Sequence, residues 1–310
     1  LSAGTVFQIL SRTIMSNASL AVQGAVPPEP KKSSPWVFWG RAFVVPYLLI
    51  FLVFVLYPVG YGLWLARHPE SYVKLFDDPI FFRTAINTVI FLVVAINIKM
   101  VVAMVLSGFF VQTRWWIKVI SLIFILPWAV PSIPTILSVR FMLNPEWGVI
   151  NSLIFRLTGL DGPNWLNDPT LALCFSMLMH IWKSLPFWTL ILVAGRLAIP
   201  SEQYEAASVD GATNWQKFRF ITWPSMKTLY LTSTILSMIW TLGDFNSVYL
   251  LTGGGPGTAT RMVIQHIYET AFVSDAKLFG IAAASSVLLA GVILVLTLVQ
   301  LALSRRQAGG

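Results

Sequence analysis

An all-α integral membrane fold is predicted by three features of this sequence. Hydrophobic residues make up 56% of the 310 positions and charged residues only 11%, whereas soluble domains carry about 25% charged residues. Six stretches are long enough to cross a bilayer core as helix, which takes about 20 apolar residues. No segment shows the strict alternation of a transmembrane strand. The same composition excludes a soluble enzyme and a disordered chain. Cys174 is the single cysteine, so neither a disulfide framework nor a Cys-based metal site is available. His68, His180 and His266 lie too far apart in sequence to suggest a metal cluster.

The spans follow in order. Residues 43–65 carry no charge, and residues 84–110 carry one, Lys99. Residues 119–139 are uncharged but contain Pro127, Pro131 and Pro134. Residues 169–194 contain Lys183, residues 228–252 contain Asp244, and residues 278–303 are uncharged. Backbone groups find no water in lipid, so each is read as helix, with broken helix geometry that could line a cavity at Pro127 and Pro131. With the N-terminus inside, twelve lysines and arginines fall in cytoplasmic segments and seven outside. That bias sets the orientation. It also accounts for the net charge of +8, so nucleic-acid binding has no support. Residues 1–40, with Pro27, Pro28, Pro30 and Pro35, read as a mostly disordered cytoplasmic tail. Residues 41–304 form the six-span domain, and 305–310 a cytoplasmic C-terminal tail. No cleavable signal peptide is expected, because 43–65 is too long for one.

Residues 196–227 form a long cytoplasmic loop too polar to span. Pro200 breaks the preceding helix and Ser201 can cap a new one, with Glu202 and Glu205 near its positive end. Ala206, Ala207 and Val209 give that helix a small, smooth face. Gly211 permits a sharp change of direction after Asp210. A second helix is expected over residues 212–220, with Trp215, Phe218 and Ile221 at helical spacing and Pro224 ending it. Such a knob suits a partner's groove; the alternative is an interfacial helix lying on lipid headgroups with no partner.

The order Glu205-Ala206-Ala207, three residues, Gly211, nine residues, Ile221-Thr222-Trp223-Pro224 resembles the EAA loop of ABC-importer permeases, Glu-Ala-Ala-x3-Gly-x9-Ile-x-Leu-Pro. Trp223 at the usual Leu is the one departure. Tyr57-Pro58, Asn87-Thr88, Gly148-Val149-Ile150-Asn151, and Leu251 to Pro256 after Asp244-Phe245-Asn246 are similar to the carbohydrate-type permeases, closest to the maltose and glycerol-phosphate group. The resemblance covers residues 43–304. It implies a type I importer permease with both termini cytoplasmic, in a bacterial cytoplasmic (inner) membrane. It implies a second permease subunit, a cytoplasmic ATPase dimer, an external solute-binding protein and a sugar substrate. ATP and Mg would sit on the ATPase, with no cofactor on this chain and no enzyme activity of its own. By resemblance, Glu205, Ala206, Ala207, Asp210, Gly211, Ile221 and Pro224 couple ATPase motion to the spans, with Glu205 pairing a basic residue in the ATPase groove.

Charges within spans need explanation, since each costs about 2.5–3.5 kcal/mol on insertion scales. Lys183 and Asp244 lie near mid-span and are expected to pair inside the bundle with Asn246 nearby, structurally or along the sugar path. Lys99 has no evident partner; it snorkels or favours an acidic sugar. Trp128, beside Pro127 and Pro131, and Tyr249 are candidate sugar-stacking residues, with Trp182, Trp188 and Trp240 behind them. His180 and Cys174 read as packing residues. Gly253, Gly254, Gly255 and Pro256 read equally as a flexible external turn or as a gate or binding-protein contact. No lysine follows these glycines, so they form no P-loop. The leading rival is an ion-coupled secondary transporter, which needs inverted repeats and coupling carboxylates; only Asp244 is on offer. An intramembrane enzyme lacks a nucleophile and base in the spans.

Overall fold

The computed structural model describes residues 35–274 and 278–308, and among them the chain is helical with no strand. Most of the tail expected over residues 1–40 lies outside the described residues. The chain divides into two units, ending and resuming at Tyr61 and Gly62. In the first, α1 (Pro35–Phe51) passes through a π-helical turn (Leu52–Leu56) into α2 (Tyr57–Leu65), whose residues from Gly62 onward belong to the second. The turn closes from the Tyr57 N–H to the Leu52 carbonyl, just before Pro58. Proline has no N–H for a regular helical bond, and a widened turn absorbs that loss.

The second unit holds α3 (Pro69–Asp77), α4 (Pro79–Phe110), α5 (Trp115–Ala129), α6 (Ser132–Met142), α7 (Val149–Thr158), α8 (Pro169–Leu197), α9 (Ser201–Val209), α10 (Asn214–Lys217), α11 (Trp223–Leu242), α12 (Asn246–Thr252), α13 (Val263–Tyr268) and α14 (Phe279–Ala308). Among the described residues, four helical runs are long and apolar enough to cross a bilayer, Ala42–Leu65, Pro79–Phe110, Pro169–Leu197 and Phe279–Ala302, or five if the bent pair of α5 and α6 is one span. The final helix runs to Ala308, past the boundary expected at residue 304.

The third span, expected over residues 119–139, is broken at its prolines. α5 and α6 meet at 94°. Pro131 drives the residue before it into extended backbone, and Val130 adopts φ −74°, ψ 141°. The fifth expected span, 228–252, is also divided. α11 stops at Gly243 and α12 restarts at Asn246, with the Asp244 carboxylate accepting from the Ser247 N–H.

α4 and α8 share the most extensive helix contact and form the centre of this unit. On α4 the buried face reads Thr84, Thr88, Phe91, Ala95, Lys99, Ala103 and Ser107, at spacings of three and four. Small and polar residues mark it, while Val89, Val93, Val101 and Val105 are exposed. Lipid is as apolar as valine, so burial there is decided by close approach and hydrogen bonding. Ile96, Met100, Ala103 and Met104 meet Trp188, Leu192 and Met226 in the main core.

Asn151 ties the loop between α6 and α8. Its Nδ2 donates to the carbonyls of Pro145 and Pro163, and its Oδ1 accepts from Trp165 Nε1 at 2.6 Å. Gly148 caps α7 so tightly that a Cβ would stand 2.5 Å from the Met142 carbonyl oxygen and 2.8 Å from the Asn144 nitrogen. Backbone cannot rotate aside, so Gly148→Ala is expected to cost at least the ~1–3 kcal/mol of overpacking. A lowered melting temperature in detergent checks this, with Gly291→Ala, which meets nothing within 4 Å, as the neutral control.

Candidate functional site

At one end of the bundle, α9 and α10 form the bent knob. The expected Ser201 cap is replaced: Pro200 holds the cap position with no side-chain bond, and Ser201 is the first helical residue. Gly211 has φ +74°, a left-handed conformation that residues with a Cβ resist. The elbow is braced across its two arms. The Tyr204 and Thr222 hydroxyls share a hydrogen bond of 2.8 Å, Lys217 Nζ donates to Ser208 Oγ at 2.7 Å, and the Ala212 N–H donates to the Ala207 carbonyl at 2.9 Å. Thr213 and Gln216 form a reciprocal capping box at the start of α10.

The second helix does not end at Pro224. A π-helical turn over Phe218–Thr222 runs straight into α11, and Pro224 falls in the first turn of that helix. The turn closes from the Trp223 N–H to the Phe218 carbonyl just before Pro224, and its widening absorbs the missing N–H. The arm after the elbow is therefore continuous with a long helix. Glu205, Ala206, Asp210, Gly211 and Pro224 are exposed, while Ala207 and Ile221 are partly buried. Val209 is 88% exposed, Phe220 69% and Trp215 66%.

At mid-bundle, a cavity of about 240 Å³ is lined by residues of α4, α6, α8, α11 and α12, among them Lys99, Lys183, Ser237, Trp240, Asp244 and Asn246. His180 Nδ1 lies 2.9 Å from Asp244 Oδ2. His180 Nε2 lies 3.1 Å from Lys99 Nζ and 3.2 Å from Thr241 Oγ1. Ser247 donates to the same carboxylate through its N–H and its hydroxyl. Lys99 is 1% exposed and sits 5.7 Å from the Trp188 ring centroid. It does not snorkel, because its position midway along α4, facing α8, gives it no route to a surface.

The expected Lys183–Asp244 pair is not formed either. Lys183 Nζ donates to the carbonyls of Pro127 (2.8 Å) and Val130 (2.6 Å). In a regular helix those two carbonyls would accept from residues 131 and 134, both prolines without an N–H. Lys183 supplies the donors that the prolines remove, at the break between α5 and α6.

Lys183, Asp244 and Asn246 thus share one cavity. Trp128, expected on the substrate path, does not line it; it stacks on Phe187 with centroids 5.6 Å apart, and Phe187 stacks at 5.2 Å on Trp240, which does. Tyr249 does not line the cavity; it packs with Phe245 and Tyr268. Trp182 lines a separate apolar groove with Pro127 and Pro186. His180, assigned to packing from sequence, is the centre of the network. Its signal was its spacing of three from Lys183 on one apolar helix.

At the far end, Gly253, Gly254 and Gly257 take positive φ after α12. The turn is closely tied. Thr252 and Thr260 share a hydroxyl bond of 2.7 Å, Thr260 Oγ1 is within 2.9 Å of the Gly255 carbonyl, and Asn87 Nδ2 donates to the carbonyls of Thr258 and Arg261. The Val263 N–H donates to Thr88 Oγ1. Nearby, Arg261 pairs with Glu269 at 2.6 Å. Burial raises the Glu269 carboxyl above its ordinary range despite that guanidinium. Burial also lowers the His266 imidazole, against the pull of Asp78, 3.8 Å away.

Comparison with known proteins agrees with this architecture. The family model "Binding-protein-dependent transport system inner membrane component" matches residues 99–309. The trehalose/maltose transport system permease protein MalF of Thermococcus litoralis is 31% identical over 279 residues, 86% of this chain and 93% of that protein. The sulfoquinovosyl glycerol transport system permease protein SmoG of Agrobacterium fabrum is 34% identical over 203 residues, 64% of this chain and 65% of that protein. A solved bacterial ABC transporter involved in import of the acidic polysaccharide alginate is similar over 87% of this chain and 96% of its own, with TM-score 0.73 and 26% identity. The chain belongs to the binding-protein-dependent transport system inner membrane component family and is a multi-pass ABC-importer permease.

Proposed function

We propose that the chain conducts a sugar or sugar derivative through a bacterial cytoplasmic membrane, beside a second permease subunit and above a cytoplasmic ATPase dimer. An external solute-binding protein delivers the sugar, and ATP with Mg is bound and hydrolysed on the ATPase. The observation that carries this reading is the braced elbow. Its apolar tip at Val209, Trp215 and Phe220 is exposed, and its second arm is continuous with α11, which ends at the cavity. A push on Glu205, Ala206, Ala207 or Gly211 is then felt at the Gly243–Phe245 break, beside Asp244. The Trp240 ring, backed by Phe187 and Trp128, gives a sugar ring an apolar face, and the hydroxyls around Asp244 give its edge hydrogen-bond partners. The relatives that are named as sugar permeases support the substrate class. The tied turn at Gly253, Gly254, Gly255 and Pro256 is a firm rim on which the binding protein rests.

Proteoliposomes test this. Uptake of a radiolabelled sugar is expected only when the chain is reconstituted with the ATPase, the second permease and the binding protein, and only with ATP inside the ATPase-facing compartment. Uptake by this chain alone on a proton or sodium gradient would establish the secondary-transporter reading instead.

A further inference from the structure

We propose that the mid-bundle cavity selects a sugar bearing one anionic group, and that Lys183 is the residue that reads it. This rests on the sugar-permease reading above and names its substrate class. Four ionisable side chains line the cavity. Three of them bond one another. Lys99 Nζ and His180 Nε2 are 3.1 Å apart, so one proton lies between the two nitrogens, since two would set N–H against N–H. Asp244 carries one negative charge, held by His180 and Ser247.

Lys183 is the remainder. Its partners are two backbone carbonyls, and no described carboxylate forms an ion pair with it. An ammonium has three donors, so one N–H is left over, on a side chain that is only half-buried at the cavity wall. A second observation points to an absent ligand. Ser237 Oγ is buried, lines the same cavity, and has no hydrogen-bond partner; such groups are rare without a bound molecule or water to satisfy them. The cavity thus presents one unmatched cation, an unpaired hydroxyl, and an aromatic ladder at its edge. A monoanionic sugar matches all three: carboxylate or sulfonate on Lys183, a ring hydroxyl on Ser237, and a ring face on Trp240.

The test uses a matched pair of probes, methyl β-glucuronide and methyl β-glucoside, which differ by a carboxylate in place of a hydroxymethyl group. Binding is measured to the full-length chain in lipid nanodiscs. The wild type is expected to prefer the glucuronide by about tenfold or more, the scale of a charge-assisted hydrogen bond. Lys183→Gln keeps amide donors for the two carbonyls and removes the charge, so the preference is expected to collapse toward one. Lys183→Arg is expected to retain it. A role confined to stapling the helix break would leave the ratio unmoved in Lys183→Gln. Equal binding of both probes by the wild type, or a preference that survives Lys183→Gln, overturns the inference and leaves the sugar-permease reading standing. Binding of neither probe overturns the inference as well, and the sugar-permease reading is then decided by the reconstituted uptake experiment above.

Discussion

Gly211→Val is expected to lower ATP-driven uptake by about 5–30-fold while leaving the protein folded. The reasoning starts from φ +74° at this position. A side chain in that region costs roughly 1–2 kcal/mol, and a β-branched one is the least tolerant. A bias of that size shifts a two-state population by about 5–30-fold. A Cβ on Gly211 meets nothing within 4 Å in this chain, so the penalty falls on the elbow angle rather than on packing. Gly211→Asn is the companion variant. Asparagine accepts left-handed backbone, and it is expected to keep most of the uptake. The check is uptake in proteoliposomes alongside the melting temperature of each variant. Equal uptake in the valine variant and the wild type would show that the bend is dispensable.

The second large effect is at Asp244. Asp244→Ala removes the acceptor for His180 and Ser247 and leaves the Lys99 charge buried between α4 and α8. Breaking one side of a buried pair typically costs about 3–5 kcal/mol, a large share of a marginal stability. Little monodisperse protein is expected after detergent extraction. Replacing both charges should be far milder, because the uncompensated cation goes too. Lys99→Met with Asp244→Asn is therefore expected to recover folded protein. Lys183→Met with Asp244→Asn is not, because Lys183 bonds the Pro127 and Val130 carbonyls and leaves Lys99 in place. Rescue by the second double variant and not the first would reinstate the Lys183–Asp244 pair.

These two sites differ in how far the sequence discloses them. The elbow is legible because Glu205, Ala206, Ala207 and Gly211 lie in one local segment, where spacing along the chain fixes spacing in space. The cavity is legible only as a set of costly residues, Lys99, Lys183 and Asp244, with no indication of which one meets which. Their partners depend on two helix breaks. Pro131 announces the first, but its 94° angle comes from packing against α8 and α12. Gly243 precedes the second, and apolar residues on both sides hide it in an ordinary-looking span. His180 escapes notice for the same reason: its role exists only once the break turns Asp244 toward α8. The motif residues Asn87, Asn151 and Gly148 are visible as matches to related permeases. Their physical reasons, carbonyls to satisfy and backbone to approach, appear only when the loops are folded.

The claim that everything else depends on is that α9 and α10 touch a motor on the cytoplasmic side. Val209 is 88% exposed at the elbow, and Cys174 is the chain's only cysteine. A Cys174→Ser, Val209→Cys chain carrying a photo-crosslinking maleimide, assembled with its ATPase in native-like vesicles, therefore reports on one point. A covalent adduct with the ATPase subunit, whose yield changes when ATP is bound, is the expected result. Labelling of that cysteine only by an impermeant reagent added from outside the cell, with no adduct, would contradict it.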